Sequence, residues 1–151
     1  MVPLLLQLLL VPLVFCVMEG VAWFLHKYVM HGFLWVLHED HHRGHKGWFE
    51  KNDSFALFFS VLAIVLFAMG VDGGINTLFY VAIGVTLYGI GYVLFHDITF
   101  HRRIRRIRVP RKGRYLKRII RAHAAHHQKS TRYQGVSFSF LWAPRRYDVG
   151  A

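Results

Sequence analysis

Three long apolar stretches, separated by polar segments, dominate the pattern of hydrophobic positions along the chain. The first covers Val2–Met18 and resumes through Leu25, the second covers Phe55–Val71, and the third covers Ile75–Phe95. The second and third contain no charged residue. Because roughly 17 to 25 apolar residues in a helix cross a hydrocarbon core about 30 Å thick, each stretch is long enough to span a membrane. The pattern therefore predicts three transmembrane helices.

The segments that flank these stretches predict how the helices are connected. The short link from Val71 to Ile75 contains Gly73 and Gly74, which permit a tight turn, so the second and third stretches are expected to form a helical hairpin. No basic region precedes the first stretch and no small-residue cleavage site follows it, so it is expected to remain as a membrane helix. The length of 151 residues predicts a single membrane-embedded domain over residues 1–151.

Charge is concentrated outside the apolar stretches and predicts their orientation. The formal net charge is +11 although 54% of the residues are hydrophobic, a combination that fits a membrane protein better than a soluble globule. Arg102–Arg121 holds 11 basic residues and no acidic one, and the 26–54 connection is also basic, whereas the link at Asp72 is not. By the positive-inside rule, we expect the 26–54 connection and the residues after 96 to be cytoplasmic, with the N-terminus outside.

The basic run Arg102–Arg121 has three interpretations. Adhesion to anionic membrane lipid is the simplest of them. A docking face for an acidic redox partner is compatible with lipid adhesion, because opposite charges steer association. Nucleic-acid binding is disfavoured, because the run adjoins the predicted membrane spans and carries no signature of a nucleic-acid-binding fold.

Histidine is abundant, and its spacing repeats. Ten of the 11 histidines form an alternating series of H-x4-H pairs and H-x2-H-H triples, with the second and third apolar stretches inserted between its two halves. The series comprises His26 and His31, then His38, His41 and His42, then His96 and His101, then His123, His126 and His127. All four groups lie at or beyond the predicted cytoplasmic ends of the spans. The sequence therefore predicts an all-α integral membrane protein with a cytoplasmic His-rich helical cap.

This spacing predicts that the imidazoles converge on metal ions. Positions i, i+3 and i+4 share one face of a helix, so each triple can present three imidazoles at one place. An i, i+5 pair lies about 140° apart on a straight α-helix, so each pair requires a helix end or a kink, and Gly32 after His31 offers one. Ten ligands exceed the four that zinc usually takes, whereas two metals would use about five nitrogens each. Iron, zinc, copper and nickel all suit imidazole, so the residues leave the metal open.

Three further residues are expected to orient the ligands, because a metal-bound imidazole usually donates its second N–H to a neighbouring acceptor. Glu19 precedes His26 by two helical turns and is an ionisable group inside an apolar span. Asp97 follows His96 directly. His45 shares the helical face of the first triple, although a surface position is the simpler interpretation of this residue.

The four histidine motifs together resemble those of the fatty acid hydroxylase and sterol desaturase superfamily. Longer strings resemble the bacterial β-carotene hydroxylases of that superfamily, and the resemblance runs from about Glu19 to Pro144. The strings are HKYVMHG from His26, HEDHH from His38, KND from Lys51, HDITFH from His96, PRKG from Pro110, AHAAHH from Ala122 and GVSF from Gly135.

The resemblance implies a specific activity. It implies a centre of two iron ions held by the ten histidines, with dioxygen as co-substrate and reduced ferredoxin as electron donor, and no catalytic residue beyond the metal ligands. It also implies hydroxylation at carbon 3 of the β-ionone rings of β-carotene, which gives β-cryptoxanthin and then zeaxanthin. The expected location is the bacterial cytoplasmic membrane, where β-carotene reaches the site from the lipid bilayer.

Other functions stay open at this point. An oxygenase of the same superfamily that acts on fatty acyl or sterol lipids, as a hydroxylase or a desaturase, is the nearest alternative, and ring ketolation is a variant of it. A non-catalytic membrane metal protein would need polar residues within its spans, but the second and third spans carry no charge. Bis-histidine haem ligation would leave most of the histidines idle.

Overall fold

The structure of the chain, a computed structural model, describes residues 3–44, 47–107, 109–129, 131–148 and 150. This part of the chain is helical and contains no strand. Helix α1 spans Leu4–Phe24 and continues as a first π-helical segment, Leu25–Phe33, and α2 spans Trp35–Arg43. Helix α3 spans Asp53–Val71, and α4 spans Thr77–Tyr92 and continues as a second π-helical segment, Val93–Phe100. Helix α5 spans Arg114–His127, and a 3-10 turn follows at Arg145–Tyr147.

Three helices are long and apolar enough to cross a membrane, as the hydrophobic pattern predicts. They run over Leu4–Phe33, Asp53–Val71 and Thr77–Phe100, and they confirm the predicted all-α class with three long apolar helices. The first and third helices extend past Leu25 and Phe95, where the predicted spans end. The additional turns carry histidines of the H-x4-H pairs, whose polar rings end the hydrophobic signal while the backbone stays helical.

Helix α4 packs against both α1 and α3 and so holds the three long apolar helices together. The α3–α4 link is the tight turn that the sequence predicts, with Gly73 at φ 66° and Gly74 at φ 123°, values that residues with a Cβ rarely adopt. Asn76 then caps α4, because its side-chain oxygen accepts a hydrogen bond from the Leu78 N–H at 2.9 Å.

The C-terminal segment returns to the membrane helices and thereby positions α5. Phe140 packs with Met18 of α1 and Tyr88 of α4 in one apolar core. Ile119 of α5 packs with Ala143 of the same segment in a second core. The histidines of α5 are consequently held beside the π-helical ends of the first and third membrane helices.

The close packing of α1 on α4 at Gly84 leads to a first prediction about stability. A Cβ built on Gly84 would lie 2.7 Å from Cβ of Val14 and 2.9 Å from the carbonyl oxygen of Val11. We expect Gly84→Ala to force the two helices apart and to destabilise the protein by about 1–3 kcal/mol, the usual cost of overpacking. Thermal unfolding in detergent should show a lowered Tm for this variant.

The same helix offers a matched control for that substitution. A Cβ on Gly89 would meet no atom within 4 Å, so Gly89→Ala makes the same chemical change without the contact. It should leave the Tm unchanged or slightly raised, because alanine is the better helix former. Equal Tm values for the two variants would contradict the close packing of α1 on α4.

Candidate metal centre

The ten histidines of the repeated motifs lie in two clusters of five. Cluster 1 contains His26, His31, His38, His42 and His126, and cluster 2 contains His41, His96, His101, His123 and His127. Within each cluster, one ring nitrogen from every residue lies within 4.8 Å of the others. Each cluster takes four rings from one half of the sequence repeat and the fifth from the other half, so neither half provides all five rings of a cluster.

Each H-x2-H-H triple is divided between the clusters, which corrects the expectation that a triple presents three imidazoles at one place. In α2, His38 and His42 belong to cluster 1 and His41 belongs to cluster 2. In α5 the arrangement is reversed, because His123 and His127 belong to cluster 2 and His126 belongs to cluster 1. The helical repeat explains the division. At about 100° per residue, i+4 lies about 40° to one side of i and i+3 about 60° to the other, so these two positions diverge.

The H-x4-H pairs lie in or directly beside the two π-helical segments. In a π-helix the backbone hydrogen bond joins residues five apart, so it brings side chains with that spacing onto one face. The His101 N–H donates to the His96 carbonyl at 3.0 Å, and the Leu34 N–H donates to the Val29 carbonyl at 2.9 Å. A kink is also present at Gly32, as expected, with φ −101° and ψ −123°. The π-helical turns themselves were not predicted, although two histidines five residues apart on one continuous helix are a signal for them.

Hydrogen bonding orients the rings so that Nε2 faces the centre of each cluster. In the described part of the chain, seven of the ten rings place Nδ1 at 2.7–3.2 Å from an oxygen atom. Because carbonyl and carboxylate oxygens only accept, Nδ1 carries the proton and Nε2 presents a lone pair. The Nε2 atoms of His41 and His96 are 3.1 Å apart, and those of His31 and His126 are 3.2 Å apart. Facing lone pairs repel, so this donor set fits a cation between the rings.

The clusters are largely buried, and burial lowers the pKa of imidazoles in both of them. His126 is 0% exposed and His38 is 1% exposed. Burial lowers the pKa of His42 to about 4 and the pKa of His101 to about 3, and neighbouring imidazoles add to the effect. Burial likewise holds the pKa of His127 far below the usual range, and its Nε2 has no hydrogen-bond partner among the described residues. Neutral imidazole is the form that binds a metal ion.

Comparison with known proteins assigns the chain to a family. It matches the family described as fatty acid hydroxylase over residues 11–143. The chain belongs to the fatty acid hydroxylase family. It is 45% identical to the "Beta-carotene hydroxylase" of Pseudescherichia vulneris over 89% of this chain and 75% of that protein. It is 40% identical to the protein of the same name from Paracoccus sp. (strain PC1), over 91% of this chain and 85% of that protein. No solved structure matches the chain.

The outer hydrogen bonds of the two clusters include one of the three predicted orienting residues. Asp97 accepts from Nδ1 of His96 at 2.9 Å, as expected. Glu19 lies elsewhere, which corrects its predicted role: its two oxygens accept from the Tyr88 hydroxyl at 2.8 Å and from the Leu141 N–H at 3.0 Å. The carboxylate therefore ties the C-terminal segment to the membrane helices. His45 lies outside the described residues.

Two side-chain acceptors were missed by the sequence reasoning. Glu50 accepts from Nδ1 of His41 at 2.7 Å, and Asn52 accepts from Nδ1 of His38 at 2.7 Å. Both lie just before α3, where a polar residue is also explained by a helix start, so their position alone gives no specific signal. The remaining acceptors are the carbonyl oxygens of Lys129, Arg132, Val136 and Phe138, which no side-chain pattern could identify.

An apolar cavity of about 620 Å³ extends from the two histidine clusters along the long apolar helices. Four histidines drawn from both clusters line one end of it: His26, His38, His96 and His123. The cavity follows α3 from Phe55 to Phe67, an axial distance of about 18 Å at 1.5 Å per residue. Ile64 and Ile90 line it and are 66% and 51% exposed, so the cavity opens sideways onto the apolar surface of the helices.

Proposed function

We propose that this chain is a membrane-bound di-iron hydroxylase that converts β-carotene to β-cryptoxanthin and zeaxanthin. Two clusters of five histidines meet one end of a long apolar cavity, and this observation carries the proposal. The bacterial relatives that are named beta-carotene hydroxylase are 40–45% identical over most of the chain, which supports β-carotene as the substrate.

Iron is the metal that the site and the family together favour. Hydroxylation is an oxidation, and zinc has no redox chemistry. The five imidazoles of cluster 1 would hold one iron, and the five of cluster 2 would hold the other. When bound, the irons supply the oxygen chemistry, with dioxygen as co-substrate, and the protein supplies ligation, orientation and a dry site. The outer acceptors keep each Nε2 directed inward, so the ligands are arranged before the metal arrives.

The cavity explains how a hydrocarbon substrate reaches a buried polar centre. β-Carotene has no polar group, so selection has to rely on shape and on contact with apolar walls. Phe59 and Ala63 of α3 and Val85 of α4 provide such walls, and the lateral opening would admit the molecule from the bilayer. A β-ionone ring at the inner end would then lie beside histidines of both clusters. The walls also exclude water from the reacting ring.

The positive-inside rule supports a cytoplasmic position for the metal centre. Both clusters lie at the helix ends that adjoin the basic segments, and Asp72 marks the opposite end of the α3–α4 hairpin. We propose reduced ferredoxin as the electron donor, because opposite charges would steer an acidic iron–sulfur protein to the basic run Arg102–Arg121. Anionic lipid headgroups would hold the remaining basic side chains at the membrane surface.

Hydroxylation of fatty acyl chains is the second candidate, because the matching family is described as fatty acid hydroxylase. An acyl chain would also fit an apolar cavity. Pigment analysis distinguishes the two candidates. A bacterial host that accumulates β-carotene, with and without this chain, should contain β-cryptoxanthin and zeaxanthin only when the chain is present. Unchanged β-carotene beside a folded, iron-loaded protein would overturn the carotenoid assignment, and analysis of the lipids of the same cells would then test for hydroxylated acyl chains.

A further inference from the structure

The outer hydrogen bonds of the two clusters differ in charge. In cluster 1, all five rings donate to neutral acceptors: His26 to the Phe138 carbonyl, His31 to the Arg132 carbonyl, His38 to the Asn52 amide, His42 to the Lys129 carbonyl and His126 to the Val136 carbonyl. In cluster 2, the two outer acceptors found among the described residues are both carboxylates. His41 donates to Glu50 at 2.7 Å and His96 donates to Asp97 at 2.9 Å.

The groups around Glu50 and Asp97 leave a net negative charge beside cluster 2. Arg103 binds both oxygens of Asp53, at 2.6 and 2.7 Å, and its Nη1 lies 3.6 Å from Asp97. Asp53 also accepts from the Glu50 N–H at 3.0 Å. Three carboxylates and one guanidinium therefore form a connected network behind His41 and His96. No side-chain carboxylate accepts a hydrogen bond from a cluster 1 ring in the described part of the chain.

A carboxylate that accepts a hydrogen bond from an imidazole changes how strongly that imidazole binds its metal ion. A ring that donates Nδ1–H to an anion is a more basic ligand than one that donates to an amide carbonyl. Negative charge near a cation also stabilises the cation, and more so as its charge rises, since the Coulomb energy scales with the product of the charges. The effect is strong in a buried site, where solvent screens little.

We infer that the two metal positions are inequivalent: cluster 2 binds its ion more tightly than cluster 1 and favours the more oxidised state, because of Glu50 and Asp97. This inference rests on the proposed function only in that it takes both clusters to hold iron. Glu50 and Asp97 act as positioning residues that tune the ligands, and they do not touch the metal.

Two nearly isosteric substitutions change the charge and keep the hydrogen bond. Glu50→Gln retains an oxygen for His41 but removes the charge from cluster 2. Asn52→Asp retains an oxygen for His38 and adds a charge to cluster 1. Anaerobic titration of the metal-free protein with Fe(II) should show two binding steps for the native chain. Glu50→Gln should weaken the tight step about tenfold and leave the weak step in place, whereas Asn52→Asp should strengthen the weak step.

Mössbauer spectra of the same samples loaded with iron-57 give a second measurement. The native chain should show two distinct iron signals, and each variant should shift one of them. Removing one ligand from each cluster assigns the steps: His126→Ala should retain the tight step and His127→Ala the weak one. If Glu50→Gln does not fold, Asn52→Asp and the two histidine variants still test the inference.

Two results would overturn the inference, and they differ from a failure of the proposed function. If two irons bind the native chain with equal affinity and give one Mössbauer signal, the inference is overturned while the proposed function stands. Charge swaps at Glu50 and Asn52 that weaken or strengthen both steps equally would also overturn it. A native chain that binds no iron would overturn the di-iron centre itself. A lack of zeaxanthin beside two unequal irons would count against the substrate and support the inequivalence.

Discussion

Replacement of His126 by alanine is expected to abolish zeaxanthin formation and to remove one of the two irons from the protein. His126 is fully buried and belongs to cluster 1, and its Nδ1 is held by the Val136 carbonyl at 2.7 Å. Loss of a residue that merely supports a ligand costs about 10- to 100-fold in metal affinity or activity, so loss of the ligand itself should cost more than about 100-fold. Pigment chromatography and iron analysis of the purified protein measure the two effects.

A buried residue on the same helix separates this effect from a general loss of stability. Ile119 of α5 is 2% exposed, lies in the apolar core with Ala143 and belongs to neither cluster. Ile119→Ala should destabilise the protein by about 2–5 kcal/mol through a core cavity, yet it should retain two irons in the protein that folds. Undiminished zeaxanthin and two irons in His126→Ala would contradict the assignment of His126 as a ligand.

The amino-acid pattern predicted the parts of the fold that depend on local chemistry. Apolar length predicted three long apolar helices, and Gly73 with Gly74 predicted the hairpin turn between α3 and α4. The number of histidines predicted two metals with about five nitrogens each, and the structure gathers the ten rings into two clusters of five, although the sequence did not predict how each triple divides between them. Their role as metal ligands stays a prediction, which the iron analysis of His126→Ala addresses.

Features that depend on tertiary contacts could not be predicted from that pattern. The helical repeat of α2 separates His41 from His42, but the histidines that His41 joins in cluster 2 are determined by where the third membrane helix ends, which a single helix cannot show. The carbonyl oxygens that orient four rings of cluster 1 carry no residue-type signal. Glu19 was misassigned for the same reason: its distance from His26 along the helix was suitable, but the returning C-terminal segment provides the Leu141 N–H as a partner.

Blocking the cavity far from the histidines is expected to lower zeaxanthin formation about 10- to 100-fold while both irons stay bound, because displacement of a substrate by about 1 Å can cost that much. Ala63 lines the cavity, is 7% exposed and lies ten residues beyond the start of α3 at Asp53, about 15 Å along the helix axis. Ala63→Phe would place a ring in the space that we assign to the polyene chain. Pigment chromatography with iron analysis measures both outcomes.

The control for this substitution uses a neighbouring position on the same helix. Val61 is 51% exposed and does not line the cavity, so Val61→Phe adds a ring toward lipid and should leave zeaxanthin formation unchanged. A shorter polyene with the same β-ionone ring gives a second comparison. It would end before Ala63, so its hydroxylation should be less affected by Ala63→Phe than that of β-carotene. Full conversion of β-carotene by Ala63→Phe would show that the substrate reaches the metal centre by another route.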